Sequence, residues 1–188
     1  MKLTGFLSVA ALLFASTLVA AELKSGLQEG ESLDAFQVEK VGGAVNDNVE
    51  VGKHLCYRCM LGNKPVVMVW ARKNDKNLAD LVKQLDKKVA ENSDQKLSSF
   101  VNLIGDDADK LKAEAKELAT KNKVENVAIV VPEENENGPA EYKINPEAEL
   151  TVLIYRDGKV AANHAVASGK VDKKAIETIV ADTSKILK

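Results

Sequence analysis

Apolar runs and apolar periodicities divide this chain into a regular order of elements. Val66–Ala71, Phe100–Ile104 and Val127–Val131 are nearly continuous apolar stretches, the pattern of strands buried on both faces. Leu150–Tyr155 and Val160–His164 flank Arg156-Asp157-Gly158-Lys159, and that Asp-Gly pair predicts a tight β-hairpin. Between the first three runs the spacing turns helical. Leu78, Leu81, Val82, Leu85 and Val89 recur every three or four residues behind Asn74 or Asp75, either of which suits a helix N-cap. Leu111, Ala115, Leu118 and Ala119 repeat the pattern behind Asp106 or Asp107, and Ile176, Ile179, Val180 and Leu187 repeat it behind Asp172. Near the start, Phe36-x-Val38 and Val49-x-Val51 alternate around the turn formers Gly42-Gly43 and Asn46-Asp47-Asn48, which predicts a first hairpin. Pro132–Glu149 reads as a polar loop of unusual length.

A hairpin, then β-α-β-α-β, then a second hairpin and a helix is the order of an α/β sandwich. Helices on both faces carry the chain between parallel strands, and an antiparallel hairpin completes a mixed sheet. Ahead of this lies Leu3–Val19, apolar with small residues, preceded by Lys2 and followed by Ala20-Ala21. This predicts a cleavable export signal over residues 1–21, with cut before Glu22. Ser8, Ser16 and Thr17 favour cleavage over retention as a membrane anchor. What remains, residues 22–188, is enough for one well-cored domain and short for two.

Charge narrows the partners. The 26 basic and 28 acidic residues are interspersed, with no basic block, so nucleic acid and anionic membrane surfaces are not expected partners. The expected location is secreted or periplasmic, off the membrane once the signal is removed.

Candidate chemistry centres on the two cysteines of the chain, Cys56 and Cys59, directly ahead of the most apolar run, Pro65–Trp70. A C-x-x-C beside a buried strand in an α/β pattern points to thiol–disulfide chemistry, and an exported pair at this spacing is expected oxidised. Closing so short a loop restricts the unfolded chain very little, which argues against a bond kept for stability alone.

Three stretches carry a family resemblance: Gly26-x-x-x-Gly30-x-x-x-x-x-Phe36, Lys64-Pro65-Val66-Val67-Met68-Val69-Trp70-Ala71, and Tyr142–Val160 ending in Arg-Asp-Gly-Lys. The chain resembles the thioredoxin-like superfamily, in particular its exported redoxin and peroxiredoxin-like branch. That resemblance implies a thioredoxin-like fold with an N-terminal hairpin extension. It also implies where thiols would normally stand, W-A-x-x-C-x-x-C after the central strand. Here Trp70-Ala71-Arg72-Lys73 is followed by Asn74-Asp75-Lys76-Asn77, with asparagine at both cysteine positions. Leu150 stands where the family has its cis-proline, and Pro146 falls four residues early. The segment before the central strand is a turn at that strand's N-terminal edge in such proteins. Cys56 and Cys59 are therefore expected away from the usual pole, unless the turn folds back.

Three readings of the pair stay open. In the first, Cys56 and Cys59 exchange disulfides with exported protein thiols, no cofactor is needed, and Arg58 stabilises the thiolate with help from Lys53, Lys64 or His54. In the second, the chain is a redox-inactive binding or scaffold protein with a structural disulfide. In the third, His54, Cys56 and Cys59 hold Cu(I) or Zn(II), with His164 the remaining histidine for a fourth ligand. His164 otherwise reads as an edge residue, Trp70 as core, and Glu133, Glu134 and Glu136 as solvated loop.

Overall fold

In the computed structural model, which describes residues 23–188, strand order is set around one central strand. The predicted export signal lies outside the described residues. The elements are β1 (Val38–Gly43), β2 (His54–Leu55), α1 (Tyr57–Leu61), β3 (Val66–Ala71), α2 (Lys76–Glu91), β4 (Ser98–Leu103), α3 (Ala108–Lys121), β5 (Val127–Pro132), β6 (Ala148–Arg156), β7 (Lys159–Ala167) and α4 (Lys173–Asp182). Short 3-10 turns occupy Ala140–Tyr142 and Thr183–Ile186. One seven-stranded sheet runs β2-β1-β5-β4-β3-β6-β7. β3 is parallel to β4 and antiparallel to β6, and β4 is parallel to β5. The four predicted core strands therefore share a single mixed sheet.

The caps fall where short acceptor side chains meet free backbone N–H groups. Asp75 accepts from Asn77 N and Leu78 N, Asp107 from Lys110 N, and Asp172 from Ala175 N. Asn74, the other candidate at the first cap, donates instead to Glu114 O at 3.1 Å.

Helices cover both faces, unequally. The crossovers β3–α2–β4–α3–β5 step in one direction along the sheet, so their shared handedness puts α2 and α3 on the same face. α4 joins them, and this core holds Val67, Val69 and Ala71 against Leu81, Leu118 and Ile179. The alternate residues of β3, Val66, Met68 and Trp70, face the other way, under the N-terminal segment, α1 and Tyr142. Leu33, Phe36, Tyr57 and Leu61 complete that second core. A fully buried side chain of this size contributes about 1.5–3 kcal/mol, which is what holds so short a helix as α1 in place.

The first hairpin differs from the sequence expectation in its second strand. β1 pairs with His54–Leu55, and Val49–Val51 lie in the connecting loop. The cause is Lys40, which points inward from β1 and is 2% exposed. Its ammonium donates to Ala44 O at 3.0 Å, Asp47 Oδ1 at 2.6 Å and Val49 O at 2.8 Å. The loop curls around this buried charge, since an unpaired ammonium there would cost several kcal/mol. Gly43, expected in a turn, is the last residue of β1, with φ +65, where an added Cβ would lie 2.0 Å from Val127 O.

Candidate functional site

The cysteine segment runs along the second face of the sheet. Leu55 is paired with Val38, which in turn pairs with Pro132 at the C-terminal end of β5. Pro65, at the other end of the segment, leads into the N-terminal end of β3. The chain thus crosses the sheet lengthwise between these points, with Tyr57 stacked on Phe100 of β4 at a ring separation of 5.5 Å. The segment starts by the C-terminal end of β5 and reaches the N-terminal edge, where Arg58 lies on Gly158 of the β6–β7 turn and Met60 lines a cleft with Ser98 and Asn126.

Cys56 and Cys59 are joined in a disulfide, with Cα atoms 5.2 Å apart. Cys56 is the N-cap of α1, and its sulfur accepts the Cys59 N–H at 3.0 Å. Cys59 is exposed and Cys56 half-buried. Beside Cys59 stands Met60, 41% exposed, an unusual place for a large apolar side chain.

The two residues inside the motif diverge. Tyr57 is buried and donates its hydroxyl to Asp47 Oδ2 at 2.5 Å. Burial first, and that bond second, push its phenol far above the ordinary range, so it remains a neutral donor. Arg58 extends the opposite way. Its guanidinium packs on Gly158 in the β6–β7 turn, where an added Cβ would lie 2.6 Å from an Arg58 terminal nitrogen. Nearby are Tyr142 and Tyr155, whose phenols burial raises while the Arg58 charge opposes the shift. Arg58 Nε and Tyr155 Oη are buried without a hydrogen-bond partner among the described residues. Lys53, His54 and Lys64, the other expected cations, are exposed. His54 faces carboxylates, with Nδ1 3.2 Å from Glu133 Oε1 and Nε2 3.7 Å from Glu39 Oε2.

A shared metal does not fit this arrangement. His54 lies on β2 and His164 on β7, the two outermost strands of the sheet. They cannot complete one tetrahedron. His164 pairs instead with Asp182 at 3.0 Å.

The C-terminal end of β3, where the family resemblance would put thiols, holds a cleft of about 600 Å³ lined by Arg72, Asn74, Asp75, Gly105, Asp107 and Lys110 among others. Its polar groups are mostly engaged. Asn74 is bonded to α3, Asp75 and Asp107 cap helices, and the Asn77 N–H donates to Asp75. Arg72 donates to Glu136 O at 3.0 Å and to Asn137 Oδ1 at 2.8 Å, strapping the acidic loop to the strand end. Asn135 and Gly105 exchange two further bonds, and Gly138, at φ +69, lies flat on Trp70 where an added Cβ would come within 2.7 Å of the ring. Glu133, Glu134 and Glu136 nevertheless keep exposed side chains, as a solvated loop should. Leu150 pairs with Ala71 in regular strand, and no cis peptide occurs among the described residues.

Sequence reasoning singled out the sulfurs and Arg58 but missed Lys40, Asp47 and Tyr57. The available signal was a lysine at an inward position of an alternating strand, seven residues before an aspartate.

No protein-family model matches this chain, and no curated protein matches it. Solved structures do. The chain is similar to the peroxidoxin BcpB from Mycobacterium tuberculosis, at 13% identity over 86% of this chain and 99% of that one, with TM-score 0.62. It is also similar to a secreted disulfide oxidoreductase from Mycobacterium tuberculosis, at 14% identity over 78% of this chain and 94% of that one, with TM-score 0.54. AhpC from the same organism matches at 11% identity over 82% and 97%, with TM-score 0.57. The fold is thioredoxin-like. In this chain the disulfide is carried at α1, ahead of β3, and Asn74 and Asn77 follow β3, in the connecting loop and the first turn of α2.

Proposed function

We propose that this is an exported thioredoxin-like protein that exchanges disulfides through Cys56 and Cys59. The observation that carries the reading is an exposed Cys59 joined by its sulfur to a Cys56 sulfur that accepts a backbone N–H. An incoming thiolate attacks Cys59 Sγ, the Cys56–Cys59 bond breaks, and its electron pair leaves on Cys56 Sγ, where the Cys59 N–H stabilises it. A second thiol of the partner then attacks the partner's own sulfur in the mixed disulfide. Cys59 leaves as thiolate, the partner becomes a disulfide, and two electrons have moved to this protein. The reverse sequence reduces a partner disulfide: the Cys59 thiolate attacks it, and the Cys56 thiolate then attacks Cys59 Sγ, so the partner leaves as a dithiol while the Cys56–Cys59 bond reforms. Partners in this reading are exported proteins bearing accessible thiols or disulfides, with Met60 as an apolar contact beside the reacting sulfur. Arg58 supplies positive charge within the motif, acting at a distance from its seat at the β6–β7 turn.

Export is supported by the apolar segment of residues 1–21 and by the secreted neighbour. N-terminal sequencing of the mature chain should begin at Glu22. The exchange itself is tested by trapping. In Cys56→Ser, a peptide carrying a disulfide should remain covalently attached at Cys59 after attack by its thiolate, read by intact mass, because the internal Cys56 thiolate that releases it is gone. A wild-type potential below about −300 mV would mark a structural bond. So would failure of both cysteines to alkylate, after gentle reduction, without denaturant. Either result leaves the second reading, a scaffold with an inert disulfide, which the tight seating of Tyr57 favours.

A further inference from the structure

We infer that Lys40, Asp47 and Tyr57 form a positioning unit that sets the redox equilibrium of the Cys56–Cys59 pair, an inference that rests on reading that pair as the exchanging site. The unit is continuous. The buried Lys40 ammonium holds Asp47 Oδ1 at 2.6 Å, and the other oxygen of the same carboxylate accepts the Tyr57 hydroxyl at 2.5 Å. The Val49 N–H adds a third bond to Asp47 at 2.9 Å, and Val49 O returns one to Lys40 at 2.8 Å. Tyr57 lies inside the ring closed by the disulfide. The loop of residues 44–53 is thereby tied to the backbone that joins the two sulfurs.

The consequence follows from where ordering costs fall. A disulfide forms readily when the dithiol already holds its sulfurs close, because little further freedom is lost on closure. α1 has five residues and no stability of its own. With the bond reduced, what keeps α1 docked is the Tyr57 ring on Phe100, the Tyr57 hydroxyl on Asp47, and Leu61 in the core. With the bond closed, the covalent ring restrains the same residues anyway. Removing the hydroxyl contact therefore loosens the dithiol more than the disulfide and shifts the equilibrium toward dithiol. The carboxylate is the critical member, since a hydrogen bond to a charged acceptor is roughly twice as strong as one between neutral groups.

The test equilibrates the full chain with dithiothreitol redox buffers and reads the oxidised fraction by alkylation and mass. Tyr57→Phe removes one hydroxyl and keeps the ring on Phe100, so the fold survives. It should lower the oxidation constant about tenfold, equal to a potential about 30 mV less reducing. Asp47→Asn should act in the same direction, and the Tyr57→Phe/Asp47→Asn pair should be less than additive. Glu149→Gln breaks a different network, at the C-terminal end of β3, and should leave the constant within about twofold. The inference is overturned if Tyr57→Phe and Asp47→Asn both stay within about twofold of wild type, or if Glu149→Gln shifts the constant as much as they do. Failure of the exchange reading looks different: wild type would equilibrate with dithiothreitol yet never form a mixed disulfide with a peptide thiol.

Discussion

The face that carries the disulfide and the cleft at the C-terminal end of β3 use buried polar bonds for opposite ends. Over the face, Tyr57 and Arg58 are seated to either side while Cys59, next in the chain, stays exposed. At the cleft, most of the polar groups that approach the strand end are consumed internally. Arg72 holds the acidic loop, Asn74 bonds to α3, and Lys73 pairs with Glu149 at 2.5 Å. One region uses its hydrogen bonds to seat the helix that carries a disulfide, the other to close a strand end. In a shared fold, reactivity is decided by which polar atoms are left free, and position in the fold does not by itself confer it.

The comparison breaks most sharply at the sulfurs. Cys59→Ser should abolish exchange with a dithiol peptide, whereas the double variant Asn74→Ala/Asn77→Ala should exchange at the wild-type rate, both followed by mass as oxidised peptide formed. A loss of exchange in the asparagine variant would return the function to the cleft. Next in size is Arg72→Met, which unfastens the loop. Burial lowers the Arg72 pKa, while Asp106 and Glu136 oppose the shift, so the guanidinium remains a charged donor. Losing its bonds to Glu136 and Asn137 should cost about 1.5–3 kcal/mol, read as a lower urea midpoint, with exchange unchanged.

A smaller effect is expected at Glu149. Burial alone would raise its carboxyl, but Lys73, the Gly169 N–H and Ser168 together hold it below its ordinary value of 4.5. A lowered carboxylate contributes stability above its unfolded pKa, and that contribution is lost as pH falls through the folded one. Glu149→Gln should accordingly narrow the stability difference between pH 7 and acid, measured by denaturant titration across that window. Smallest of all is Arg58→Ala. With its guanidinium on the β6–β7 turn, it should move the alkylation titration of the reactive cysteine upward only slightly, read as a pH series of alkylation rates.

How much of this was legible in the chain depends on whether the governing contacts are local. Apolar runs and three- to four-residue periodicities are local, and Val66–Ala71, the face of α2, the cap at Asp172 and, to within one residue, those at Asp75 and Asp107 follow from them. The Cys56-x-x-Cys59 spacing is local too, and it allowed the ring that closes there. The second strand of the first hairpin was misplaced because Lys40 competes for the loop backbone from several residues away. Alternation cannot register a buried ammonium. The course of the cysteine segment over the sheet depends on Tyr57 meeting Phe100, 43 positions later, and on Arg58 meeting Gly158 from a distant turn. Likewise the strapping of the acidic loop needs Arg72 and Glu136, which nothing in their neighbourhoods pairs. Short-range pattern determined which elements this protein forms. Tertiary packing alone decided which cysteine is the more exposed, because exposure is a property of what lies above a residue in space.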